Sequence, residues 1–235
     1  MTALATSTPE EMAGAAPPGK HRARALGSVG SFVAEQIDGP RGIQARYLRD
    51  ESSGRADVAA LRRASSKAPG EIAEVWTLTQ VKVPDFAGDE PTWEEVAVHT
   101  AMTLYAVHQQ SRTTGMFRRG MGLGHAARDL IGPPDQENPS ARSRFNALVT
   151  ATTVAELCRH LRTFVSLLRA HEIPLDHAML ADDVVGFQRP GGARKVRLTW
   201  SRQYSRSHSA ELASHEAASD GDHSTSTSST TQSEN

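Results

Sequence analysis

The chain has 235 residues, with 26 Lys and Arg against 27 Asp and Glu, 38% hydrophobic and 5% aromatic side chains, enough for one or two globular domains. Its single cysteine, Cys158, excludes an intramolecular disulfide and a cysteine-based zinc site. No window nears the ~18 continuous apolar residues of a membrane span, and the N-terminus lacks the basic-then-apolar layout of a secretion signal, so a cytoplasmic, membrane-free protein is expected.

Near-neutral net charge conceals segregation. Five acids, Glu211, Glu216, Asp220, Asp222 and Glu234, lie beyond the last cation, Arg206, and residues 28–206 hold 23 basic and 20 acidic side chains. The longest acid-free stretch, 96–128, carries Arg112, Arg118, Arg119 and Arg128, and Arg142 and Arg144 follow soon after. Such clustering points to a cationic surface for a polyanion. Only Lys20, Lys67, Lys82 and Lys195 are lysines; the planar arginine fork suits phosphate, although GC-rich codon usage gives the same ratio.

In chain order, residues 1–28 are rich in Ala, Pro, Gly and Thr without periodicity, and they are expected to be disordered because they bury too little to offset ordering entropy. Helices are predicted near 30–37, 41–49, 55–65 and 71–79, with Gly39 and Pro40 separating the first two. Thr92 and Glu95 form a capping-box pattern that opens a helix to about Gln109. Trp93, Val96, Ala97, Ala101, Leu104 and Tyr105, with Val98, Met102 and Ala106 on a second side, give it the wide apolar arc of the central helix. His99 and His108 lie on it without a ligand at metal spacing and read as polar or packed histidines.

Gly120, Gly122 and Gly124 make a turn ahead of a helix starting near 123, whose stripe of Leu123, Ala126, Ala127 and Leu130 ends by Gly132, Pro133 and Pro134. No strand precedes the glycines, so a dinucleotide fingerprint is unsupported. Free amides at that helix start, with Arg118 and Arg119 just upstream, would suit a backbone phosphate. Pro139 and Ser140 open a helix carrying Phe145, Leu148 and Val149.

Thr153 and Glu156 form the second capping-box pattern. Val154, Leu157, Cys158, Leu161, Phe164, Val165 and Leu168 then repeat at three and four residues until His171 and Pro174, with Cys158 expected as a small core residue. The other face of this helix carries Arg159, Arg162, Ser166 and Arg169 as a basic stripe. A helix over 177–188 places Asp182 and Asp183 about 100° apart, the wrong geometry for an acid-base dyad, leaving them as solvated charges or arginine partners. Val196, Leu198, Trp200 and Tyr204 mark a last helix, with a strand over Val196–Trp200 as the alternative. Residues 207–235, rich in Ser, Thr, His and acid, are expected to be a disordered tail.

The fold class is therefore all-α: two small helical bundle lobes, 29–120 and 121–206, between a disordered extension (1–28) and the tail (207–235). The boundary falls in the loop at 110–122 or the proline-bearing loop at 131–139. Neither a cofactor motif nor a catalytic constellation is present; the cluster His171, Glu172, Asp176 and His177 is the one candidate for a metal-dependent hydrolase. An independent helix-turn-helix regulator is the other alternative, but long proline-bearing loops join the helix pairs.

Several elements together resemble a known family. Leu61-Arg62-Arg63, Gly122-Leu123-Gly124 with Ala126, Ala127 and Arg128, Arg142 to Phe145 with Leu148, His160-Leu161-Arg162, the Ile173-Pro174-Leu175-Asp176 entry to the Asp182 helix, and Trp200 with Tyr204 occur in one order. In that order they are similar to CasB, the small subunit of the type I-E CRISPR surveillance complex Cascade. The resemblance covers about 55–205 and implies a two-lobed, non-catalytic all-α protein. Two copies would lie head to tail between the backbone subunits and the large subunit. Their basic surfaces would hold target DNA and the displaced single strand while guide RNA pairing supplies sequence choice. Carried over residue by residue, it places Arg62, Arg63, Arg118, Arg119, Arg128, Arg142, Arg144 and Arg162 on the nucleic-acid surface.

Overall fold

The computed structural model describes residues 24–82 and 88–221, with side chains as far as 206. Ten helices occur among these residues: α1 (Ser28–Asp38), α2 (Ile43–Leu48), α3 (Ser52–Ala64), α4 (Trp76–Thr79), α5 (Trp93–Gln109), α6 (Leu123–Ile131), α7 (Pro139–Thr150), α8 (Val154–Ala170), α9 (His177–Gln188) and α10 (Gly192–Gly221). The all-α expectation is borne out: no strand is present among the described residues, which hold one isolated bridge, Phe117 to Leu175. Val196–Trp200 is helical, which removes the strand alternative. The segment expected as a helix over 71–79 is a 3-10 turn, Ala73–Val75, followed by the single turn of α4.

The capping signals act locally. Thr92 Oγ1 accepts from Glu95 N–H at 3.2 Å while Glu95 returns a carboxylate oxygen to Thr92 N–H at 2.8 Å, the complete reciprocal box. At α8, Thr153 Oγ1 accepts from Glu156 N–H, but Glu156 reaches back to Thr152 N–H at 2.8 Å, one residue beyond the expected partner.

α5 and α9 form the centre. α5 packs on α3, α8 and α9, α9 also packs on α1 and α10, and α6 packs on α10. Trp200, Tyr105, Phe164, Met102 and Leu161 are fully buried, each large apolar side chain contributing about 1.5–3 kcal/mol. The apolar core runs continuously from Val33 and Ile37 through α5 and α8 to Trp200, so it crosses the boundary expected at 120/121. Two residues expected on apolar helix faces are exposed instead. Trp93 is 44% exposed and Leu198 is 49% exposed. Cys158 is half-buried against Thr100 Oγ1.

The loop at 110–122 is stitched down at many points. Gln109 Oε1 accepts from Met116 N–H and its amide donates to Thr114 O, while Gln44 spans Phe117 N–H and O. Leu175 N–H donates to Met116 O and Arg118 N–H donates to Leu175 O.

Most of the extension expected over 1–28 lies outside the described residues, but Arg24 to Gly27 are held against α9. Arg24 pairs with Asp183 at 2.7 Å and donates to Met179 O, and Asp182 accepts from Gly27 and Gly30 N–H at 2.7 and 2.8 Å. A Cβ at Gly30 would lie 2.8 Å from Ala178 O, so a bare glycine lets α1 approach α9. The expected tail overlaps α10 as far as Gly221; residues 222–235 lie outside the described residues.

Candidate nucleic-acid interface

The eight expected arginines separate into three environments. Arg62 on the last turn of α3, Arg144 on α7 and Arg162 on α8 are exposed and have no carboxylate partner among the described residues. Helical periodicity puts them outward because Leu61, Phe145, Leu148, Leu161 and Phe164 take the inward positions.

Arg63 and Arg119 are exposed but paired on the surface. Arg63 meets Glu74, and Arg119 Nε lies 3.0 Å from the Asp38 carboxylate. Exposed pairs of this kind are worth about 0–1 kcal/mol, so a phosphate can displace the carboxylate.

The remaining three serve the fold. Arg128 is 4% exposed, and its guanidinium caps the C-terminus of α6 by donating to Gly132 O. It was expected on the nucleic-acid surface; the burial of α6 against α10 withdraws it. Arg142 grips Glu137 with two nitrogens at 2.8 and 3.1 Å and donates to Tyr204 Oη at 2.8 Å. The Glu137 hydrogen bond raises the Arg142 pKa and lowers that of Glu137. Arg128 and Arg142 stack over the Tyr204 ring at 5.8 and 5.2 Å. Arg118 is half-buried, with Nη2 3.1 Å from Met121 Sδ.

The phosphate seat expected at the start of α6 is already occupied by the protein itself. Gly120 N–H donates to Asp176 at 2.7 Å and Gly124 N–H to Gln203 Oε1 at 3.0 Å. Gly124 is there for close approach: a Cβ would fall 2.1 Å from Trp200 O. The 171–177 cluster is likewise dispersed. Glu172 pairs with Arg112, Asp176 caps α9 at Met179 N–H, and His177 meets His108 at 3.4 Å. Among the described residues, no three His, Cys, Asp or Glu side chains are placed to hold a metal.

One group of exposed cations lies on and beside α8. Arg159 and Arg162 are exposed on its outer face, and Arg169 follows, tied to Gln110 at 3.0 Å. Between α8 and the loop after α3 lies a cleft of about 330 Å³, with Lys67 from the loop and Arg162 from the helix among its lining residues. His99 Nε2 lies 3.2 and 3.0 Å from Ala64 O and Lys67 O; both are acceptors, so Nε2 carries the proton and pins this loop to α5. Burial lowers the His99 pKa, in keeping with a neutral ring. Lys67 was not among the expected residues; its signal in the sequence was its place four residues beyond Arg63 at a helix end.

The family model of the CRISPR-associated protein Cse2 matches residues 57–204. The fold is similar to the crystal structure of CasB from Thermobifida fusca, with a TM-score of 0.65 and 36% identity over 77% of this chain and 99% of that one. A Cse2-family CRISPR-associated protein from Thermus thermophilus gives a TM-score of 0.53 and 25% identity, covering 75% of this chain and 97% of that one. CasB from M. ruber gives 0.52 and 24%, covering 72% and 94%, a likeness of fold. No curated protein matches.

Proposed function

Since the chain belongs to the CRISPR-associated Cse2 (CasB) family, we propose that it acts as a non-catalytic small subunit of a type I-E Cascade complex and holds opened target DNA by its sugar-phosphate backbone. Large and backbone subunits and a second copy of itself are the protein partners in this proposal. Target DNA paired to guide RNA, and the displaced strand, are the nucleic-acid ones.

The observation that carries it is the cleft whose walls bring Lys67 and Arg162 together, with Arg62 on the helix that leads to Lys67 and Arg144 on the helix packed against α8. These side chains offer donors, and no Phe, Tyr or Trp lines the cleft, which suits phosphate and not base recognition. Arg63 and Arg119 join them when phosphate replaces Glu74 and Asp38.

The test is target binding by the assembled complex carrying Arg62→Glu, Arg144→Glu and Arg162→Glu. Complex assembly should persist while target affinity falls, and the four cations should contribute about −3 to the log-log salt slope. Unchanged affinity and slope would refute this surface. Arg128→Met is the control: it should lower stability and leave the slope intact.

A further inference from the structure

On the far side of His99 from Arg162 lies a second cleft, of about 210 Å³, lined by Pro69, Gly70, Trp76, Thr79, Gln80, Glu95 and His99. Pro69 and His99 line both clefts, yet the chemistry of the two is opposite. The first holds Lys67 and Arg162; the second holds one charge, Glu95.

The donors lining this second cleft are nearly all committed. Trp76 Nε1–H donates to Gly70 O at 3.0 Å, Thr79 O–H to Val75 O at 2.9 Å, and His99 Nε2–H to the two carbonyls of the α3 loop. What is left over, apart from the Gln80 amide, is acceptor. His99 is 6% exposed and its Nδ1 has no partner. Glu95 uses one carboxylate oxygen on Thr92, at 2.8 and 2.9 Å, and keeps the other. Trp76 is 52% exposed, and its fixed ring offers a π face.

A cleft with an aromatic wall, one carboxylate and no cation disfavours phosphate and matches a planar cation that has only donors. We propose that this cleft receives an arginine side chain from a partner protein. The guanidinium would stack on Trp76 and pair with the free Glu95 oxygen. Charge along the adjoining segment agrees: the described residues of 71–95 include six acids, Glu71, Glu74, Asp89, Glu90, Glu94 and Glu95, against Lys82 alone. The inference goes beyond the nucleic-acid role and concerns a protein contact.

The test follows the Trp76 indole N–H resonance of the full chain, assigned with Trp76→Phe, during titration with N-acetyl-arginine amide. The neutral isostere N-acetyl-citrulline amide and a decathymidine strand are the comparisons. A saturable shift with arginine, absent with citrulline and lost in Glu95→Gln, supports the site; glutamine preserves the capping box, so the helix start stays intact. No arginine shift, an equal citrulline shift, a response that survives in Glu95→Gln, or a shift produced by the oligonucleotide overturns it.

Discussion

Trp200 Nε1 donates to Asp183 Oδ2 at 2.7 Å in the interior, and Arg24 closes on the other oxygen at 2.7 Å. Asp183 is 3% exposed, and burial raises its pKa against the lowering effects of Arg24 and the indole. Asp183→Ala leaves a buried indole donor and a guanidinium without their acceptor, and should destabilise the fold by about 3–5 kcal/mol. Asp183→Asn retains an acceptor for the indole and should lose less. Urea midpoints compare the two; equal losses would mean that the hydrogen bond to Trp200 contributes nothing.

Acid should weaken the fold through the buried pair His108 and His177. Burial lowers the His108 pKa to about 3 and holds that of His177 well below its ordinary value, with His108, Arg112 and Arg169 adding like-charge effects in the same direction. Tyr105 and Phe117, which face His177, supply no charge to stabilise an imidazolium. Since the unfolded chain takes up these protons near pH 6.5 and the folded one does not, the stabilisation is fully present above that pH and lost as pH falls below it. The loss is about 1.4 kcal/mol per pH unit for each histidine. At lower pH Asp176 and Asp183, both raised by burial, act with the opposite sign and flatten the decline. Denaturant midpoints from pH 8 to pH 5 should therefore drop mainly below 6.5, and His108→Gln should reduce the slope. A flat profile in the parent chain would contradict the buried pair.

Gly124→Ala should be as damaging as a core mutation although it adds one methyl. The new Cβ meets Trp200 O at 2.1 Å and Gln203 Cβ at 2.7 Å, and backbone cannot swing aside as a side chain can. Overpacking costs about 1–3 kcal/mol, which in a chain of this size lowers Tm by roughly 2–4 °C per kcal/mol. Gly70→Ala, where a Cβ meets nothing within 4 Å but φ is 87°, reports backbone strain alone. Thermal melts should show a larger drop for Gly124→Ala, and the reverse order would show that α6 and α10 can separate freely.

The helices were legible because their signals are local. Thr92 with Glu95, the α8 stripe from Leu157 to Leu168, and the Gly132 stop each act within a few residues, and each is found as expected. Asp183 pairing with Arg24 fits one of the two roles expected for it, but Arg24 itself carries no local signal because its partner lies 159 residues away. The arginines were harder to place. Arg128 and Arg162 look alike in sequence, and what separates them is α10, which covers α6 and leaves the outer face of α8 open. Trp93 lies outside the core because the capping box starts the helix at the rim of the bundle, where its first residue projects beyond the interior. The amides of Gly120 and Gly124 look available in the sequence for the same reason Arg24 looks free: the groups that satisfy them, Asp176 and Gln203, come from distant segments.

Adjacent carboxylates on α9 do unlike things, Asp182 receiving backbone amides of the α1 entry and Asp183 facing the Trp200 interior. Helical geometry makes that division a ruler for alignment. Inserting one residue between Asp176 and Asp182 turns both by about 100°: Asp182 takes the place of Asp183 opposite the indole, the strap at Gly27 loses its acceptor, and Asp183 is carried into the buried apolar position of Val184. The doublet thus tolerates no frame but one, and it fixes how far along α9 the start of the chain can dock.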